Sequence, residues 1–281
     1  MSQSLSKENV IQNKKSAIKT LNSLLEKYIN IPSDNYLKKA NLISYWIKDY
    51  SKMLNFEEKF EPTKNISYSR GNIIKLNFGF NIGSEYGGLH YGIVLDKHNA
   101  HHSPVVTVIP LTSTKAGKQL HTNNVDLGNE IYKLLSSKYN SVLKELTDEK
   151  KYIGQMLSSI LSAIDLVENI VAEANTAEAN SEEKKHKLLI AQNKLKSAMI
   201  LRDELEEKQK HNHEQQLYLD NIGKEISKMK EGSVALVSQI TTVSKIRIFD
   251  PKNAKGILSN ISLSQVSMDK INDKMKELYI F

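Results

Sequence analysis

The sequence predicts an α+β chain: a small β-domain carrying an N-terminal helical hairpin and a long helical, coiled-coil-like insertion. Three observations predict it. Apolar residues recur at helical steps up to about residue 60, alternate with polar ones from about Ser67, and return to heptad-like steps over about 129–230 before strands resume after Gly232. Strands on both sides of a helical block imply one β-domain with a helical insertion. The expected division is therefore 1–66 for the helical extension, 67–128 with 231–281 for the β-domain, and 129–230 for the insertion.

The first helix is read from Val10, Ile11, Ile18, Leu21, Leu24 and Leu25, and the second from Leu37, Ala40, Ile43, Ile47 and Met53. Pro32 disfavours helix at Ile31, and Ser33 or Asp34 can cap the second helix. Ile74, Leu76 and Phe78 then alternate with Lys75 and Asn77, a half-buried strand led in by Arg70-Gly71. Gly92-Ile93-Val94-Leu95, Val105-Val106-Thr107-Val108-Ile109 and Asn124-Val125-Asp126-Leu127 are further strands of a barrel or sheet.

In the insertion, Ile153, Met156, Ile160, Ile164, Val167 and Val171 step by three and four, and Leu188, Leu195, Ala198, Leu201 and Leu205 form a second arm. Asn175 to Ser181 is the expected turn, with Asn180 or Ser181 as the cap, so an antiparallel helical hairpin is the simplest account and one long interrupted helix the alternative. After Gly232, Val234-Ala235-Leu236-Val237 reads as a buried strand and Lys245-Ile246-Arg247-Ile248 as an alternating one. Ser262-Leu-Ser-Gln265 is a capping box for a last helix with Val266, Ile271, Met275 and Leu278 on one stripe.

Composition narrows the function. The 39 Lys+Arg against 32 Asp+Glu give a net charge of +7, which suits an anionic partner such as RNA without demanding one. The chain has no cysteine, which excludes disulfides, thiolate zinc sites and cysteine nucleophiles and fits a reducing cytoplasm. Neither a signal peptide nor a run of about 18 apolar residues is seen, so a cytoplasmic chain with no membrane partner is expected. His98, His101 and His102 lie in a polar strand-to-strand loop that reads as solvated, so no metal and no cofactor is expected. Trp46 sits at helical spacing and reads as core, although it and Tyr36, Tyr45, Tyr50 and Tyr68 are the aromatics that could stack bases.

The most informative segment is Asn81-Ile-Gly83-Ser84-Glu85-Tyr-Gly87-Gly88-Leu-His90-Tyr91. Consecutive glycines let a backbone approach a ligand, while Ser84, Glu85 and His90 set an acceptor, a carboxylate and an imidazole close in sequence. A hairpin loop with glycine-dependent dihedrals explains the same residues without any ligand.

The chain resembles the MazF/PemK (Kid-like) toxin endoribonucleases in four ordered blocks. Arg70-Gly71 and the following strand resemble the family's opening strand, and Gly83-Ser84-Glu85-Tyr-Gly87-Gly88 its signature loop. Val106 to Thr112-Ser113 resembles its threonine-bearing strand, and Ser233 through Gln239 to Lys245 its later strand pair. The resemblance implies a small SH3-like β-barrel and cleavage of single-stranded RNA without a metal, by attack of the ribose 2′-OH on the adjacent phosphate. It also implies a homodimer and a cognate antitoxin whose extended segment occupies the RNA groove.

By the same resemblance Thr112 is catalytic, while Ser84, Glu85, Gly87, Gly88, Ser113, Lys75 and Lys245 are the expected RNA contacts. The family's arginine, two residues after the glycine pair, is here His90, and the proline after it is Tyr91. Imidazole exchanges protons near neutrality, but the exchange gives up a permanent charge and a bidentate phosphate donor that Lys75, Lys245 or Arg247 would have to replace. Two other readings use the same fold: a non-catalytic nucleic-acid or protein-binding module, motivated by the missing arginine, and a gyrase-inhibitor type of toxin, against which the Gly83 to Gly88 loop argues.

Overall fold

The computed structural model describes residues 6–114, 117, 119–177, 181–230 and 232–280. Helices α1 (Lys7–Asn30) and α2 (Asp34–Glu57) form the N-terminal pair. The strands are β1 (Ile73–Asn77), β2 (Leu89–Val94), β3 (Val105–Ser113), β4 (Val125–Gly128), β5 (Ser233–Ala235), β6 (Thr241–Ser244) and β7 (Ile248–Asp250). Between β4 and β5 run α3 (Glu130–Thr176) and α4 (Glu182–Lys228), and α5 (Gln265–Tyr279) ends the chain. By contacts the chain forms two units: residues 1–112, 119–125 and 234–281, and residues 113–118 with 126–233.

In the first unit β2 pairs antiparallel with β1 and β3, in a sheet of order β4-β5-β3-β2-β1-β7 with β6 on β3. Its core is the alternating set the sequence marks: Ile74, Leu76 and Phe78 lie at 0%, 0% and 3% exposure, packed with Tyr68, Val94, Val106, Val108, Val243 and Ile248. Tyr68, at 1% exposure, is thus core and not a base-stacking surface. The other face is sealed as well, since Ile73, Ile93 and Ile109, cross-strand neighbours, are each 0% exposed.

The expected SH3-like barrel is not closed. β6 pairs with β3 and β7 with β1, on opposite sides of the sheet, and the 3-10 turn Lys245–Arg247 spans the interval where a closing ladder would stand. That turn replaces the alternating strand expected at residues 245–248. Lys245 N–H still bonds to Pro104 carbonyl at 2.8 Å, the last bond along β3, and then Ser244 Oγ accepts from Ile246 N–H at 3.3 Å, a local cap that takes the chain out of the ladder. Val237 likewise opens a 3-10 turn, Val237–Gln239, and ends β5 early.

Other elements shift for similar reasons. Ser264, not Ser262, caps α5, because the Ser262 hydroxyl accepts from Asn72 Nδ2 at 2.6 Å while Ser264 Oγ accepts from Ser267 N–H at 3.3 Å. The register change leaves Val266 66% exposed and buries Met268 and Ile271. In the N-terminal pair, α2 buries Ala40 and Ile43, whereas Val10, Ile11 and Ile18 of α1 are exposed. Ser33 precedes α2 as expected, without a side-chain capping bond.

The second unit is a helical hairpin with arms of 47 residues each, on the order of 70 Å at 1.5 Å per residue. Contacts between Glu149 and Asn212, Lys150 and Gln216, and Glu173 and Lys187 show that the arms run antiparallel. Ser181 caps α4, its Oγ accepting from Lys184 N–H at 3.2 Å; Asn180 lies outside the described residues. The α3 seam is close to expectation, but α4 turns Ala191, Ala198 and Leu205 inward and leaves Leu188 and Leu195 at 41% and 46% exposure. Small residues let the two helices approach closely, and the larger ones move to an adjacent face.

α3 also modifies the expectation of no membrane partner. By length and composition it could cross a membrane, with an 18-residue window of mean hydropathy 1.2 that is 11% buried. Such a window is weak evidence for a span in a helix that packs along its length on another.

Leu76→Ala should lower unfolding stability by about 2–5 kcal/mol, the usual cost of a cavity at a fully buried leucine. Urea denaturation checks this, and an unchanged midpoint would show that the sheet core lies elsewhere.

Candidate active site

The β1–β2 loop builds the site. Phe78 N–H bonds to Gly88 carbonyl at 2.8 Å and Gly88 N–H to Gly79 carbonyl at 2.7 Å, closing the loop base. Inside it, Asn81 Nδ2 donates to Tyr86 carbonyl at 2.8 Å and Glu85 Oε2 accepts from Ile82 N–H at 3.3 Å. A Cβ on Gly87 would lie 2.6 Å from the Gly79 carbonyl oxygen, and Gly88 has φ +92°, so both glycines are required by this closure. The glycine pair positions its neighbours.

What it positions is Tyr86. The hydroxyl donates to Leu111 carbonyl and shares a side-chain hydrogen bond with Thr112, while the ring meets Phe78 edge-on at 5.5 Å. His90 lies 4.7 Å from the same ring, centroid to centroid. His90 and Thr112, separated by a strand and a loop in sequence, are therefore brought together through one tyrosine that sequence reasoning did not select.

Burial pushes the Tyr86 hydroxyl up to about 12, against a smaller lowering by Thr112, so it stays protonated at neutral pH and acts as a donor. Desolvation on the tyrosine ring moves the His90 imidazole below its ordinary value of about 6.5, even though much of the residue faces solvent. A neutral imidazole at pH 7 is matched to accepting a proton.

Beside this cluster opens a cleft of about 520 Å³ lined by Phe78, Glu85, Tyr86, Gln239 and Arg247 among others. Gln239 joins loop to cleft: its Oε1 accepts from Tyr86 N–H and its Nε2 donates to Ser84 carbonyl, both at 3.3 Å. Arg247 donates from Nη1 to Phe78 carbonyl at 3.0 Å and its guanidinium sits 5.3 Å from the Trp46 ring of α2. Trp46 is thus half-buried packing that holds a cation, as well as the expected support for the helix.

The other expected contacts separate. Lys245 is 0% exposed, its Nζ bonded to Ala100 carbonyl at 3.2 Å and 5.6 Å from the Tyr68 ring, and burial lowers its pKa. A core lysine cannot reach RNA, which corrects that assignment. Lys75 pairs across the ladder with Tyr91 and lies 5.5 Å from its ring, on the sheet face opposite Leu76 and His90. Ser84 and Glu85 are exposed on the loop, and Ser113 ends β3 in the second unit. His101 Nε2 bonds with Asn65 carbonyl at 2.7 Å, and among the described residues no three His, Cys, Asp or Glu side chains are grouped to hold a metal.

Residues 69–166 match the family model of the PemK-like, MazF-like toxins of type II toxin-antitoxin systems. The segment from β1 to β4 is similar to those toxins. The match takes in β1 to β4, the signature loop, His90 and Thr112 and continues into α3, but it stops before Gln239 and Arg247. Those two residues, each in a 3-10 turn beside a strand, reach the matched segment through the contacts above. No curated protein matches the chain.

Gly87→Ala should strain the loop base and displace Tyr86, since the new Cβ meets backbone that has no slack. The tyrosine environment, read by near-ultraviolet circular dichroism, should change while the far-ultraviolet spectrum does not; an unaltered near-ultraviolet spectrum would mean that the loop relaxes around the methyl group.

Proposed function

We propose that this protein is the toxin of a toxin-antitoxin pair and a metal-independent endoribonuclease that cleaves single-stranded RNA. The observation that carries the reading is the His90–Tyr86–Thr112 cluster, whose tyrosine also lines a cleft with a cation, Arg247. The PemK-like match supports the toxin class.

His90 takes the proton from the ribose 2′-OH as the oxygen attacks the adjacent phosphorus. The Thr112 hydroxyl donates to the phosphorane oxygen whose charge develops, and Arg247 offsets the added negative charge from the cleft side. The bond from phosphorus to the 5′-oxygen then breaks, the imidazolium returns its proton to that oxygen, and the products are a 2′,3′-cyclic phosphate and a 5′-hydroxyl. Tyr86, protonated throughout, fixes the base and the donor relative to one another. Ser84 and Glu85 contact the RNA from the loop. A cognate antitoxin laying an extended segment in the cleft would block it, and self-association through the sheet domain accompanies the family resemblance.

Incubation with single-stranded RNA in EDTA should leave 5′-hydroxyl ends, and activity that disappears with chelator and returns with Mg²⁺ would refute metal independence. An intact substrate in both conditions would favour the non-catalytic binding module to which the missing arginine also points.

His90→Ala should lower the cleavage rate by about 10²–10⁴-fold, the worth of a positioned acid or base. A base must be unprotonated, so the rate should rise with pH to a plateau, with its inflection below about 6.5 because the imidazole pKa is lowered. His90→Arg separates roles: full activity there with a dead His90→Ala would make the histidine a phosphate-binding cation.

A further inference from the structure

The α3–α4 hairpin exposes most of its apolar side chains at one end. Of its thirteen exposed large hydrophobics among the described residues, ten lie between Leu157 and Ile200, the half next to the turn. They include Leu157, Leu161 and Ile164 on α3 and Leu188, Leu195 and Met199 on α4, each between 38% and 54% exposed. The seam beneath them is already filled by Met156, Ile160, Ala191, Ala198 and Leu205. These residues are therefore surplus to the hairpin's own core.

The two outer stripes share one face. Each outer residue follows a seam residue by one or four positions, or precedes the next by three, and all three offsets rotate the same way about the helix axis, by roughly 40–100°. Because the arms run antiparallel, equal rotations in sequence carry both stripes to the same broad side of the hairpin. Rotation in the other sense reaches mainly polar residues, Gln155, Ser159, Ser197 and Glu204 among them, with Tyr152, Leu166, Ile190 and Leu201 as apolar exceptions.

Charge selects the occupant. From residue 152 to residue 176, α3 carries Asp165, Glu168 and Glu173 and no Lys or Arg, whereas from residue 184 to residue 201, α4 carries Lys184, Lys185, Lys187, Lys194 and Lys196 and no acid. Lys187 already pairs with Glu173 inside the hairpin at 3.5 Å. An anionic lipid surface complements only α4, but a second copy turned about an axis parallel to the helices sets acidic α3 against basic α4 on both sides. Turning the copy about a perpendicular axis would set acid on acid.

We propose that this face is a self-association surface on which two chains form an antiparallel four-helix bundle, α3 of each copy against α4 of the other. Every neighbouring pair in that bundle is antiparallel and opposite in charge, and the exposed leucines become its core. It is independent of the nuclease reading and of any contact made by the sheet domain.

The chain has no native cysteine, so engineered ones report without background. Leu161 and Met199 lie at the same level of the hairpin, so full-length Leu161→Cys mixed with differently tagged full-length Met199→Cys should give a mixed disulfide, while neither alone should form one. Leu161→Lys should weaken the association that sedimentation equilibrium measures by at least about 100-fold, with helical content unchanged. Disulfides between two Leu161→Cys chains, absence of the mixed disulfide, an unchanged dissociation constant in Leu161→Lys, or a monomeric chain that floats with anionic phosphatidylserine vesicles would each overturn the proposal.

Discussion

The hydrogen bond from the Tyr86 hydroxyl to the Leu111 carbonyl is the constraint on which the candidate site depends. It fastens a loop of small and polar residues to a strand whose neighbours are fully buried. A backbone carbonyl in a central strand has little freedom, so the tyrosine ring inherits the rigidity of the sheet. His90 and Thr112 then hold their relation through that ring, although neither is itself in the core. The closure at Gly87 and Gly88 and the amide of Gln239 act on the same tyrosine from the other side, leaving the loop few alternative positions. A reactive pair can thus stay solvent-accessible and still be preorganised.

Arg247 is held by a different device. Its turn exists because β6 stops at Ser244 and a hydroxyl caps the next amide, and the same interruption keeps the sheet from closing into a barrel. An uninterrupted strand there would alternate its side chains and send residue 247 to one face of a ladder. The turn instead delivers the guanidinium to the cleft, where a carbonyl and the Trp46 ring hold it. The open sheet and the placed cation are two results of one local choice of hydrogen bonds.

Much of this was legible in the residues. Period-two alternation marked Ile74, Leu76 and Phe78, and the heptad-like spacing marked both long arms, because burial on one face leaves a direct imprint on sequence. The glycine pair was legible too, though its function is a backbone approach of 2.6 Å that no composition reveals. Less legible were features decided by competition between near-equal local bonds. Ser262 and Ser264 are equally good caps in sequence, and only the Asn72 amide, 190 residues away, removes the first from contention. Tyr86 escaped notice for a related reason, since its partners are a carbonyl and a hydroxyl on a strand remote in sequence. Lys245 misled because charge predicts exposure, whereas its ammonium is satisfied by Ala100 carbonyl and the Tyr68 ring inside the core.

The helical arm shows the same limit from the opposite direction. Leu188 and Leu195 advertise a seam in sequence, yet the hairpin seam is built on Ala191 and Ala198, three residues further along each repeat. Spacing identifies apolar stripes but does not say which stripe faces which neighbour, since a helix with two stripes offers two solutions. Alanine wins the inner position because it permits the closest approach of two long helices, and the displaced leucines are left facing outward. An arm needing only to fold on itself would gain solubility from polar residues there. Retaining leucine, isoleucine and methionine on one broad side, between the acidic half of α3 and the basic half of α4, adds nothing to the isolated hairpin's own core, so the explanation for that face must be sought in what packs against it.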